Sequence, residues 1–74
     1  MELIDRIKAA QAERGYSDGE FSRRLGRSQS VWSRIKNGER PLDNIRFLRA
    51  VAGVLPELRW HIAEYTLGKE NAPK

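Results

Sequence analysis

A chain of 74 residues is one small domain with a single core, and a chain of that size buries only about 60% of its unfolded surface. With no cysteine and one histidine, disulfides and zinc are excluded as staples, so a dimer interface is the expected supplement to stability. No apolar run approaches the roughly 18 residues of a membrane span, and "MELIDRIKAAQAERG" has no unbroken apolar stretch of a signal peptide, so a soluble, cytoplasmic protein is expected.

The periodicity predicts five helices and no strand. The first runs from about Glu2 to Arg14, with Leu3, Ile4, Ile7 and Ala10 on one face and Glu2 and Asp5 near its positive end. "YSDGEF" opens the second: Ser17 is the N-cap, Glu20 completes a capping box, and Tyr16 and Phe21 occupy the two staple positions. That helix is short, since Gly26 follows Leu25. The third is capped by Ser28 and runs to about Asn37. Pro41 permits a fresh start, and a fourth helix is predicted from about Asp43 to Ala52 with Ile45, Leu48 and Val51/Ala52 as its apolar stripe. A fifth begins near Pro56, with Leu58, Ile62 and Tyr65 on one side and Trp60 and Leu67 on the other. Gly15, Gly26, Gly38 and Gly53 each stand where a helix is expected to close. The domain is expected to span residues 1–68, and the polar tail, 69–74, is expected to be disordered.

The third helix carries the most information. At 100° per residue, Val31, Trp32 and Ile35 share a sector of about 100°, and Gln29, Ser30, Ser33, Arg34 and Asn37 fill an opposite one about 140° wide. Three apolar side chains anchor the helix, and a face of hydrogen-bonding groups without an acid is left free. Such side chains pair with base edges and phosphates in a major groove. The wider charge pattern agrees. Net charge is +4, and residues 21–40 hold Arg23, Arg24, Arg27, Arg34, Lys36 and Arg40 against Glu39 alone, an electrostatic footprint suited to nucleic acid. Trp32 lies in the apolar sector and is expected in the core rather than as a stacking platform. Arg46 and Arg49 lie on the polar side of the fourth helix and are expected to be solvated. His61 stands without cysteine, a serine elbow or a carboxylate cluster. It is read as structural, and no enzyme, metal, cofactor or small-molecule ligand is expected.

A short capped helix, a glycine turn and a second helix with a polar face have the order of a helix-turn-helix. "YSDGEFSRRLGRSQSVWSRIKNGERP" resembles the helix-turn-helix of the phage repressor and Cro family, the lambda-repressor-like DNA-binding domains. Phe21, Leu25, small Ser22, turn Gly26, "SQS" at the second helix start, Trp32, Ile35 and the closing "NG" carry the likeness, which extends over about residues 2–67. It implies an all-α, five-helix fold with helices 2 and 3 as the DNA-binding pair. Gln29, Ser30, Ser33 and Arg34 then fall where the family reads bases. Asn37 and Arg40 fall where it grips the phosphate backbone, with Arg23, Arg27, Ser28 and Lys36 completing the backbone set.

Two positions depart from the family pattern. Arg27 replaces an apolar turn residue, so either the turn packs less tightly or Arg27 joins the basic surface. Asp18 stands where a glutamine often contacts phosphate, and a carboxylate there repels the backbone. The family's last helix often forms the dimer contact, which implies Leu58, Trp60, Ile62 and Tyr65 as interface. The expected function is therefore a homodimeric transcriptional repressor on an inverted-repeat operator, nucleoid-associated in a bacterial or phage-infected cell. The alternative is an antitoxin of the same fold that neutralises a toxin through its fifth helix or tail.

Overall fold

Helix α1, Leu3–Glu13, forms because its apolar residues recur at helical spacing, and it buries Leu3, Ile7 and Ala10. The structure, a computed structural model, describes residues 2–42 and 44–70, the last two in backbone only. It is all-helical, with no strand among the described residues.

Helix α2, Asp18–Leu25, is capped by Ser17 as expected, but the expected capping box is only half formed, because Glu20 does not reach back to the Ser17 amide. Ser17 Oγ accepts a hydrogen bond from the Glu20 amide at 3.1 Å, and the Tyr16 and Phe21 rings lie 6.5 Å apart across the entry. The Glu20 carboxylate turns along the helix to accept from Arg24 at 3.1 Å. At the far end Gly26 takes the left-handed backbone, φ 71°, which costs a residue with a Cβ more than it costs glycine. The Gly26 amide then reaches Arg23 O and the Arg27 amide reaches Ser22 O, so two end carbonyls are satisfied. The chain leaves directly into α3, Gln29–Lys36, where Ser28 Oγ accepts from the Val31 amide at 3.3 Å. The same two-bond closure recurs at Gly38, φ 79°, where Gly38 and Glu39 donate to Ile35 O and Arg34 O.

Helix α4 spans Ile45–Val54. Asn44 caps it, its Oδ1 accepting from the amides of Arg46 and Phe47 at 2.9 and 3.3 Å, while Asp43, the expected start, lies outside the described residues. Two expectations for this helix are corrected. Its buried stripe is Phe47, Leu48 and Val51, whereas Ile45 is 45% exposed. Phe47 stacks on Trp32, with centroids 6.2 Å apart and planes at 19°, and that large ring rotates the helix so that Ile45 falls at the margin. Gly53 closes nothing, because it lies within α4. The helix ends instead at Leu55, which precedes Pro56 and leaves the helical region, φ −122° and ψ 73°.

A 3₁₀ turn, Pro56–Leu58, leads into α5, Arg59–Glu70. As the periodicity divides them, Leu58 and Ile62 are buried and Tyr65 half-buried, while Trp60 and Leu67 stand 70% and 54% exposed. The helix continues past Gly68 through the first two residues of the expected tail; Asn71–Lys74 lie outside the described residues. An Arg14–Glu57 pair at 2.6 Å ties the end of α1 to the 3₁₀ turn. Among the described residues no helix is long and apolar enough to cross a membrane.

The core centres on an aromatic run. Phe21 meets Trp32 edge-on at 5.0 Å, and Trp32 meets Phe47 face to face, with Ile7, Leu48, Val51 and Leu55 fully buried around them. Trp32→Ala is expected to lose about 3–5 kcal/mol, comparable to the whole stability of a core this small. Trp60→Ala is expected to change stability by no more than about 0.5 kcal/mol in the isolated chain. Thermal melts followed by circular dichroism at low protein concentration check both.

Candidate nucleic-acid interface

Trp32 and Ile35 fix α3 to the core, with Val31 half-buried beside them. What remains outward is polar. Gln29, Ser30, Arg34 and Asn37 are exposed and Ser33 is half-buried, so the face anticipated from helical spacing exists as a surface. Ser28 and Ser30 share a hydrogen bond between their hydroxyls at 3.2 Å, at the start of that face. Ser28 Oγ is therefore already engaged by Val31 and Ser30.

Basic side chains flank this face unevenly. Arg23 and Arg40 are exposed, and Arg27 is half-buried. Arg27 and Arg40 line one cleft of about 290 Å³, floored by Val31, Ile35 and Phe47 and bounded by Asn44. Arg27 thus shares its cleft with apolar as well as basic side chains. Among the described residues, no ion pair engages Arg23, Arg27, Arg34 or Arg40. Their charge is uncompensated.

Two other cations are already in use. Arg24 pairs with Glu20 and lies 4.5 Å from the centre of the Tyr16 ring. Lys36, expected among the backbone contacts, places its ammonium 2.5 Å from Asp18 Oδ2. Asp18 is the feature whose role the sequence left open. Its Oδ1 accepts from Gln11 Nε2 at 2.9 Å and from the Trp32 indole at 3.1 Å, so donors from α1 and α3 converge on the first turn of α2. The partners lie 7, 14 and 18 positions away in the chain, and no local pattern links them.

Of the four residues assigned to a dimer contact, two are corrected. Leu58 and Ile62 are 7% and 6% exposed and belong to the core. The 3₁₀ turn and the first turns of α5 lie on α4, which draws both side chains inward. Tyr65 is half-buried and packs on the same core. Trp60 alone of the four stands out, with Leu67 seven positions on sharing the outer side of α5. His61 borders a shallow cleft with Leu3, Arg6, Glu64 and Tyr65, and no cluster of three potential metal ligands occurs among the described residues.

No protein-family model, curated protein or solved structure matches this chain.

The Lys36 ammonium, with the Gln11 side-chain amide and the Trp32 indole that donate beside it, holds the Asp18 carboxyl below its ordinary value, outweighing a desolvation that acts in the opposite sense. A folded-state pKa that is depressed adds stability above the unfolded value, about 4, and that stability is lost as pH falls through the lower folded value. Glu57, lowered by Arg14, acts in the same window. Urea midpoints are therefore expected to fall as pH drops below about 4, and Asp18→Asn to make that fall shallower. Equal acid sensitivity in both proteins would deny the Asp18 cluster a part in it.

Proposed function

We propose that this chain is a sequence-specific DNA-binding regulator of the phage repressor and Cro type. In this reading α2, the Gly26 turn and α3 form the helix-turn-helix of a lambda-repressor-like domain. The observation that carries it is the outward side of α3: Gln29, Ser30 and Arg34 exposed, no carboxylate among them, and unpaired Arg23, Arg27 and Arg40 around them.

The chemistry divides by side chain. Arg34 can pair with both acceptors of a guanine edge, worth about 1–3 kcal/mol of discrimination, and Gln29 can bridge the donor and acceptor of adenine. Ser30 and Ser33 donate or accept and read less. Arg23, Arg27, Arg40 and Asn37 supply backbone contacts, which add salt-dependent affinity without reading sequence. Two copies joined through the Trp60–Leu67 side of α5 would place two α3 helices in successive major grooves about 34 Å apart, on an inverted-repeat operator. Occupying a promoter would then repress it. The same exposed tryptophan supports a second reading, an antitoxin whose α5 covers a toxin.

Fluorescence anisotropy on the DNA just upstream of the chain's own gene, against a shuffled duplex at two salt concentrations, tests this directly. Tight binding to the native fragment alone, with two chains per site, is the expected result. Weak, equal and strongly salt-dependent binding to both would reduce the basic face to electrostatics and direct attention to a protein partner on α5. Arg34→Ala is expected to lose discrimination at one base position per half-site. Arg40→Ala is expected to weaken all duplexes alike and to flatten the salt dependence by about 0.9 in slope, the loss of one phosphate contact. An altered base preference in Arg40→Ala would contradict that division.

A further inference from the structure

The Asp18 cluster sits at the border of the proposed DNA-reading face. On α3, Lys36 lies between the inward Trp32 and the outward Gln29 and Ser33 by helical spacing, so its ammonium belongs to the edge of that face. Its side chain is 29% exposed and that of Asp18 is 32%, so water and a bound polyanion can both reach the pair. Asp18 engages two side chains of α3 at once, the indole of Trp32 and the ammonium of Lys36, one helical turn apart. Gln11, which also donates to Tyr16 O at 3.0 Å, connects the same carboxylate to α1.

Two donors a turn apart on one helix, held by one acceptor on another, oppose rotation of the first about its own axis. Apolar packing of Trp32 against Phe21 and Phe47 resists such rotation less directionally, because dispersion contacts tolerate small slides that a charged hydrogen bond does not. Gln29 lies next to the same region of α2: a methyl group built on Gly19 would touch its Oε1 at 3.4 Å. The first turn of α2 is thus the wall against which the reading edge of α3 rests. The pairing also has an electrostatic effect, since an ammonium already neutralised by a neighbouring carboxylate displaces no counterion from DNA.

We propose that Asp18 is a positioning residue for DNA recognition: it fixes the rotation of α3 through Trp32 and Lys36 and withholds the Lys36 charge from the phosphate backbone. This rests on the DNA-binding function proposed above. Beyond the acid-dependent stability of this part-buried cluster, the consequence of the pair lies in where it puts α3 and which cations remain free.

The test measures anisotropy of the full chain on the native upstream fragment and on the shuffled duplex, across about 50 to 200 mM salt, for Lys36→Gln and Asp18→Asn. Lys36→Gln is expected to keep the wild-type salt slope while its preference for the native fragment falls by about fivefold or more, as for coupled neighbours. Asp18→Asn is expected to steepen the slope by about 0.9, tighten binding to the shuffled duplex and lower the preference. A merely structural pair would move melting temperature and leave slope and preference alone, which would overturn the inference.

A Lys36→Gln slope flattened by about 0.9 would also overturn it, since Lys36 would then be a phosphate contact. Because Lys36 is a half-exposed residue near the end of α3, that variant decides the matter even if Asp18→Asn fails to fold. A wild-type chain that does not distinguish the two duplexes would remove the recognition function and the inference together. One that distinguishes them, with both variants unchanged, removes the inference alone.

Discussion

The burial of Trp32 is the constraint on which the rest of this structure depends. A helix of eight residues that leaves half its circumference polar has only two or three side chains with which to hold on. Small side chains would not suffice. An indole supplies a large apolar area and one polar handle, and here both are used: the ring lies between Phe21 and Phe47, and the N–H reaches Asp18. Phe21 belongs to α2 and Phe47 to α4, so one side chain of α3 organises its neighbours on two sides. The rotation of α4 that exposes Ile45 follows from the same stacking.

Around that centre, helix ends are set by local chemistry and helix angles by the core. Serine caps and left-handed glycines confine α2 and α3 to two turns each, and the six-residue reversal signature at Gly26 leaves no slack between them. Ser22 is buried to 2% exposure, and its hydroxyl donates to Asp18 O and Gly19 O inside its own helix. A small residue with an internally satisfied hydroxyl is buried there without an unpaired polar group.

Most of this framework was legible in the chain because its signals are short-range. Ser17 and Ser28 cap, Gly26 and Gly38 terminate, and the two faces of α3 and of α5 divide as helical spacing says. The local pattern misleads where a later proline or a distant partner decides. Gly53 is a glycine like Gly26, yet the chain stays helical through Val54 and leaves the helix only at Leu55, before Pro56. Ile45 has the spacing of a core residue but lost its place to a larger ring. Leu58 and Ile62 read as surface because α5 has more apolar residues than one stripe needs, and spacing alone does not say which stripe faces α4. For the candidate site, the polar face was visible residue by residue. The commitment of Lys36 was not, because its partner is 18 positions away and was itself judged by what it would repel.

That commitment changes how the basic segment should be understood. Six cations in residues 21–40 suggest a uniformly positive surface, but Arg24 is taken up by Glu20 and Tyr16, and Lys36 by Asp18. Four arginines remain uncompensated among the described residues, and they are the long, planar donors rather than the compact ammonium. Arginine suits a surface that must match oxygen pairs in a fixed geometry, where a point charge would attract any phosphate equally. If the face binds DNA as proposed, neutralising the one lysine beside Gln29 and Ser33 would lower attraction that carries no sequence information and leave the directional donors in place. On the proposed DNA-binding reading, a small domain with limited contact area would gain discrimination this way, by removing sequence-blind affinity at the edge of the α3 face as well as by adding contacts on it.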